Sequence, residues 1–224
     1  MEISGPDRGL CKELVMGVIR HRAWLDWLID QTPSDPVSIY FRGIAHSRLG
    51  NVGNAIEDFE TGYSLGFNIL DLRARLAYLR LRRDDNSDLE FAEKALKAAI
   101  SQEPQNALFN AYYAELEMSR HRKNYSDALK YSESATALDP NLNLAHLTHV
   151  RALISSGSGE LARDAFEHTR KLDLATPPDF IDRANIYSYF NEFQSALDDA
   201  NRAIGINPNQ AKYYYTRGKI HSLM

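Results

Sequence analysis

Five alanines keep time along this chain. Ala55, Ala92, Ala128, Ala162 and Ala196 follow one another at steps of 37, 36, 34 and 34 residues, each a few residues into a helix-like segment that follows a short turn. A period of this size restricts the fold severely. A unit that short cannot bury its apolar face alone, so it must lean on the units before and after it. The chain is therefore read as one continuous array rather than as a set of independent domains.

With each alanine placed at position 20 of a 34-residue unit, the units run 36–69, 70–106, 107–142, 143–176 and 177–210, and a sixth begins at 211. Other positions fall into line. Position 8 reads Gly43, Ala77, Ala114, Val150, Ala184 and Gly218. Position 24 reads Phe59, Leu96, Ser132, Phe166 and Ala200, and position 27 reads Gly62, Ala99, Ala135, Thr169 and Ala203. Small residues at 8, 20 and 27 let two helices approach closely, and a large residue at 24 fills the space between units. Pro104, Pro140 and Pro208 at position 32 end the second helix of their units.

This pattern resembles the tetratricopeptide repeat, with small residues at 8, 20 and 27, a bulky one at 24 and proline at 32. The segments IYFRGIAHSRLGNVGNAIEDF and IYSYFNEFQSALDDANRAIGINP carry it most fully. The resemblance spans about 36–224. It implies an all-α fold, a right-handed α-α superhelical solenoid of stacked helix-turn-helix units. First helices would line the concave face and second helices the convex one. The chain departs from the family at position 4, where Ile39, Arg73, Asn110, His146 and Phe180 stand in place of tryptophan, and at the small Ser132 and Ala200. Extra residues around 83–87 and 120–124 lengthen two internal turns, which costs little.

Helices are expected over 38–49 and 53–65 in the first unit and over 144–155 and 160–172 in the fourth. Gly50 and Gly157 occupy the turns, because glycine accepts positive φ without steric cost. Asn141 is expected to cap the helix that follows it. Residues 1–7 read as a disordered N-terminus and 8–35 as a capping helix, with Trp24 and Trp27 in its packing. Residues 211–224 read as the first helix of a sixth repeat or as a C-terminal capping helix. Tyr213, Tyr214, Tyr215, Ile220, Leu223 and Met224 make it unusually apolar. Either the chain is a fragment of a longer array or this helix packs on a second copy.

Composition narrows the function classes. Apolar residues make up 44% and charged residues 25%, as in ordinary globular proteins, and the formal net charge of −4 disfavours nucleic acid as a partner. Cys11 is the single cysteine, so no internal disulfide forms. No apolar run has the length of a signal peptide or membrane span, so a cytoplasmic protein without membrane association is expected. No nucleophile, phosphate-loop or zinc-protease motif stands out, and neither an enzyme nor a cofactor is expected. Gly157-Ser158-Gly159 reads as a turn. His146 and His149 have metal-compatible spacing but occupy packing positions, and no metal is expected. Asp84, Asp85, Asp88, Asp198 and Asp199 read as solvated surface. Arg73, Arg75, Arg80, Arg82 and Arg83 read as a charged edge partly neutralised by the neighbouring aspartates, and Arg120, His121, Arg122 and Lys123 as a turn.

In the family, positions 2, 5, 9, 12 and 13 of the first helices face the groove. Mapped here, they give a candidate binding surface of Tyr40, Ile44, Arg48, Tyr78, Arg82, Glu115, Arg151, Asn185, Tyr189, Tyr215 and Lys219. Tyrosine rings supply contact area and arginine grips carboxylates, which suits a peptide or helix of a protein partner. Co-chaperones of the family grip a heat-shock chaperone's C-terminal carboxylate with lysine at position 5 of one unit. Here that position is Tyr40, Ala74, Ala111, Leu147, Ile181 and Tyr215, so this partner is not expected. The leading expectation is a non-catalytic protein-protein interaction scaffold or adaptor. The alternative is a regulatory or assembly fragment of a larger protein or enzyme, self-associating through the C-terminal helix.

Overall fold

The computed structural model describes residues 35–83, 89–119 and 122–224. The readings of 1–7, Cys11, the helix over 8–35 with Trp24 and Trp27, the aspartates at 84, 85 and 88, and Arg120 and His121 lie wholly or almost wholly outside these. The described residues form eleven helices and no strand. In chain order they are α1 (Pro36–Arg48), α2 (Val52–Ser64), α3 (Leu70–Arg83), α4 (Leu89–Gln102), α5 (Ala107–Met118) and α6 (Tyr125–Leu138). Then come α7 (Asn143–Ser155), α8 (Gly159–Thr169), α9 (Pro177–Tyr189), α10 (Phe193–Ile206) and α11 (Ala211–His221). Each helix packs on the next except at α8 and α9, and successive odd-numbered helices from α3 onward also touch each other. The odd helices form the inner layer of a right-handed superhelix and the even ones its outer layer.

Local chemistry sets the helix ends. The Ser38 N–H donates to Asp35 Oδ1 at 2.9 Å, with Pro36 at the first helical position of α1. Thr176 and Pro177 repeat this arrangement at α9. Asn106 caps α5 and Asn124 caps α6. Asn141 does not cap α7: its own N–H donates to Asp139 Oδ1, and the cap position falls to Leu142 with no side-chain bond. The hairpin turns need one left-handed residue. Gly50 (φ +76°) and Gly157 (φ +81°) provide it as expected, while Asn191 (φ +61°) serves between α9 and α10. Helix α8 ends at Thr169 rather than running to 172. Beyond it the backbone tightens, with the Leu172 N–H donating to the Thr169 carbonyl, and Arg183 Nη1 faces the Thr169, Arg170 and Leu172 carbonyls.

The repeating small residues are the inter-helix seam. Ala55, Ala92, Ala128, Ala162 and Ala196 are all sealed from solvent, as are Phe59, Leu96, Ser132, Phe166 and Ala200. Ser132 is small for a reason: its hydroxyl meets His149 Nδ1 at 3.0 Å, so the histidine of the next hairpin fills the vacant volume. Two hairpins carry an internal clasp as well. Arg42 binds Asp58 through Nε at 3.0 Å and Nη2 at 2.6 Å, and Arg183 binds Asp199 through Nε at 2.6 Å and Nη2 at 2.9 Å. Asp199 is thus a buried partner in a bidentate pair, not solvated surface.

The superhelix is wound tightly enough to meet itself. Asn207, at the end of α10, donates through Nδ2 to the Leu49 carbonyl at 2.7 Å and to Asn51 Oδ1 at 2.8 Å in the first turn. Gln210 reaches the same Asn51 oxygen. Tyr213 is buried with its hydroxyl packed against Gly50, where a β-carbon would overlap it. Of the apolar residues of the last segment, Tyr213 and Ile220 therefore turn inward, and Tyr214, Tyr215, Leu223 and Met224 stay exposed.

Gly43 tests the seam. A β-carbon there would lie 2.7 Å and 2.9 Å from ring carbons of the sealed Phe59. Gly43→Ala gains helix propensity but overpacks this contact, and a net loss of about 1–2 kcal/mol is expected in urea unfolding. Combined with Phe59→Leu, the double variant should be more stable than the two single losses predict. Strict additivity would contradict the packing account.

Candidate functional site

Closure divides the concave side into two spaces. The first is a central hollow of about 290 Å³ to which all six inner helices contribute. Its walls include Arg48 from α1, Arg75, Tyr78 and Arg82 from α3, and Tyr112 from α5. Leu144 comes from α7, Asp179 and Ile181 from α9, and Lys212 and Tyr213 from α11. The rings of Tyr78 and Tyr112 stack at 4.2 Å, 15° from parallel, and form one flat wall.

An ion network runs through this wall. Arg82 Nη2 lies 2.8 Å from Asp182 Oδ1, joining residues one hundred positions apart on α3 and α9. Arg151 Nη1 donates to Glu115 Oε1 at 2.5 Å and stands 3.8 Å from the other Asp182 oxygen. Thr148 donates to the same Glu115 oxygen at 3.0 Å. Arg75 Nε donates to Asp71 Oδ2 at 2.6 Å, and the Tyr40 hydroxyl donates to that oxygen as well. The buried carboxylates tie α3, α5, α7 and α9 together. Breaking one such pair leaves an uncompensated charge, which costs more than the pair itself contributes.

Two aspartates one turn apart on α9 respond oppositely to these surroundings. Burial would raise Asp182, but Arg82 and Arg151 more than offset it and hold the carboxyl below its ordinary value. Burial raises Asp179 to about 6, with Asp182 adding repulsion and Arg82 and Arg48 only partly compensating. Burial, reinforced by Arg75, lowers Arg48, and burial together with Arg82 lowers Lys212. Burial pushes Tyr112 up to about 12, so its hydroxyl stays protonated at neutral pH.

The second space is an open cleft of about 560 Å³ between α7, α9 and α11, lined by Arg151, Ile154, Asn185, Tyr189, Lys219 and Leu223 among others. Tyr189 is 49% exposed at its rim.

The candidate binding residues sort between these places. Arg151, Asn185, Tyr189 and Lys219 come together in the open cleft. Arg48, Tyr78 and Arg82 come together in the hollow. Glu115 is buried and taken up by Arg151 and Thr148. Tyr40 and Ile44 are buried in the core of the first two hairpins, so they present no face to the trough. Tyr215 is 74% exposed on α11, outside both spaces. Reading positions 2, 5, 9, 12 and 13 missed Arg75, Tyr112 and Asp182 at position 6 and Asp179 and Tyr213 at position 3. A shift of one or two residues along the helix turns these inward once the coil tightens.

On the arginine-rich edge of α3, Arg75 pairs with Asp71, Arg80 with Glu60 and Arg82 with Asp182. Arg122 pairs with Glu93 and Glu117. His146 contacts the Pro140 carbonyl and the His168 ring. Among the described residues no three potential metal ligands converge, and no helix is long and apolar enough to cross a membrane.

No protein-family model matches the chain. Solved structures do. A thermophilic tetratricopeptide repeat protein of Thermus thermophilus matches over 84% of this chain and 99% of its own, at 16% identity and a TM-score of 0.63. A tetratricopeptide repeat protein of Parabacteroides merdae matches over 96% and 79%, at 13% identity and 0.59. A chain of the Cut9–Hcn1 hetero-tetramer of the APC/C matches over 94% of this chain and 40% of its own, at 12% identity and 0.55. The fold is that of the tetratricopeptide repeat proteins.

The raised Asp179 makes a signed prediction. Its folded value near 6 exceeds the ordinary 3.8, so its cost is fully present above about pH 6 and fades as pH falls toward 4. Asp179→Asn should stabilise the protein at pH 8 by on the order of 1–2 kcal/mol, less than the full shift because the hollow admits solvent. That gain should shrink toward zero near pH 4. Asp182→Asn should destabilise at pH 8. Thermal unfolding across pH 4–8 measures both, and a pH-independent Asp179→Asn effect would contradict the assignment.

Proposed function

We propose that this chain is a non-catalytic protein-interaction scaffold that takes an extended peptide or a helix of a partner protein in the cleft between α7, α9 and α11. The observation that carries this reading is the convergence of Arg151, Asn185, Tyr189 and Lys219 on one open concavity. The cleft has the composition that peptide recognition uses. An exposed ring offers contact area at low entropic cost, an amide can pair with a peptide backbone, and cationic side chains meet acidic groups. Ile154 and Leu223 supply an apolar floor. The hollow is less suited to this task, because at about 290 Å³ it is the smaller space and Tyr213 closes on Gly50 at its edge.

A second reading, self-association through α11, draws on the exposed Tyr214, Tyr215, Leu223 and Met224. Sedimentation at rising concentration separates the two, since only self-association makes the apparent mass climb.

Peptides selected from a random library on the intact protein provide the test. Tyr189→Ala with Lys219→Glu should weaken selected peptides at least tenfold while leaving circular dichroism and the melting temperature unchanged. Leu161→Ala on the convex α8 should leave them unaffected. Peptides that survive the cleft substitutions but are lost on the convex one would overturn the assignment.

A further inference from the structure

We propose that the closed central hollow is a second, separate binding site, for a small organic molecule carrying two or more carboxylate or phosphate groups, and that its occupancy holds the two ends of the superhelix together. Four cationic side chains, Arg48, Arg75, Arg82 and Lys212, line the hollow, and Asp179 is the carboxylate among the lining residues. Behind the lining, Asp71 pairs with Arg75, Asp182 with Arg82 and Arg151, and Glu115 with Arg151. Asp71 and Asp182 already engage Arg75 and Arg82, and both arginines keep further donors, since a guanidinium carries five N–H groups.

Shape selects a small molecule over a polypeptide. A volume of about 290 Å³ stands at the lower end of small-molecule sites, roughly 300–1,000 Å³. Arg82 in the wall of the hollow is tied to Asp182, and the contact of Tyr213 with Gly50 flanks it. The walls ask for an anion with an apolar or planar body. Leu79, Leu108 and Ile181 are apolar, and the stacked Tyr78 and Tyr112 present a flat surface. The cations belong to both ends of the array, Arg48 to α1 and Lys212 to α11. An anion held by both would favour the closed form over an open one, so binding and closure are thermodynamically linked.

Calorimetric titration of the full chain with citrate, with inorganic pyrophosphate and, as a neutral control, with glycerol tests this. Saturable binding of citrate, of pyrophosphate or of both supports the site and tells whether carboxylate or phosphate is preferred. Arg48→Met and Lys212→Met should each weaken that binding at least tenfold. Asp179→Asn, which removes a negative charge from the wall, should tighten it several-fold at pH 7. This gain of affinity comes only from a folded protein, so it keeps the test decisive if a methionine variant unfolds. Tyr189→Ala with Lys219→Glu should leave anion binding unchanged, so the cleft reading and this one fail separately. Three results would overturn the proposal: no saturable binding of either anion, binding indifferent to Arg48→Met and Lys212→Met in folded protein, or Asp179→Asn weakening it. So would capture of an acidic peptide by these same residues when neither small anion binds.

Discussion

The organisation of the concave side depends on one short contact between distant parts of the chain. The Asn207 amide satisfies the Leu49 carbonyl and Asn51, and Tyr213 lies on Gly50 beside them. An open helical array has nearest-neighbour interfaces only, and its stability is close to a sum over hairpins. Here the sixth inner helix touches the first turn, so the array also has a long-range interface. The buried Leu49 carbonyl makes that interface specific, because an unpaired buried acceptor costs about 1–3 kcal/mol. Gly50 is required twice over: its φ of +76° belongs to glycine, and its missing side chain makes room for the tyrosine hydroxyl.

The hairpins themselves were legible in the sequence because their packing rule is local and repeated. A sealed alanine every 34 to 37 residues, a mostly small residue twelve to fifteen positions before it and, in three of the five units, a proline twelve after it are enough to place pairs of helices. The turn glycines were legible for the same reason. The departures at Ser132 and Asn191 make sense only in three dimensions, where His149 fills the first and a left-handed asparagine serves the second. The Arg42–Asp58 and Arg183–Asp199 clasps recur at matching places in two hairpins, yet a pair sixteen residues apart has no helical or strand periodicity to announce it.

The candidate site was only partly legible, and the reason is geometric. Each hairpin adds a small rotation, and the sum over five hairpins decides whether the two ends meet. No single residue encodes that sum. Positions that face an open groove in a loosely wound array are divided here between a sealed core (Tyr40, Ile44), a charged hollow (Arg48, Tyr78, Arg82) and an outer cleft (Asn185, Tyr189, Lys219). Asp182, which holds Arg82 in the wall of the hollow, finds its partner a hundred residues away. The two concavities also differ in chemistry. The cleft is the roomier and mixed in character, whereas the hollow is narrower, lined by four cations and walled by stacked rings.

Everything said of the hollow and the cleft rests on the ends of the superhelix meeting in solution. Electron–electron distance measurement between spin labels at residues 54 and 209, with Cys11 replaced by serine, addresses this directly. Both labelled positions are exposed and flank the contact without taking part in it. A single narrow population at short distance is expected, and it should broaden and lengthen when Asn207→Ala and Tyr213→Ala are combined. A broad, long distribution in the otherwise unaltered protein, insensitive to those two substitutions, would contradict the closed superhelix.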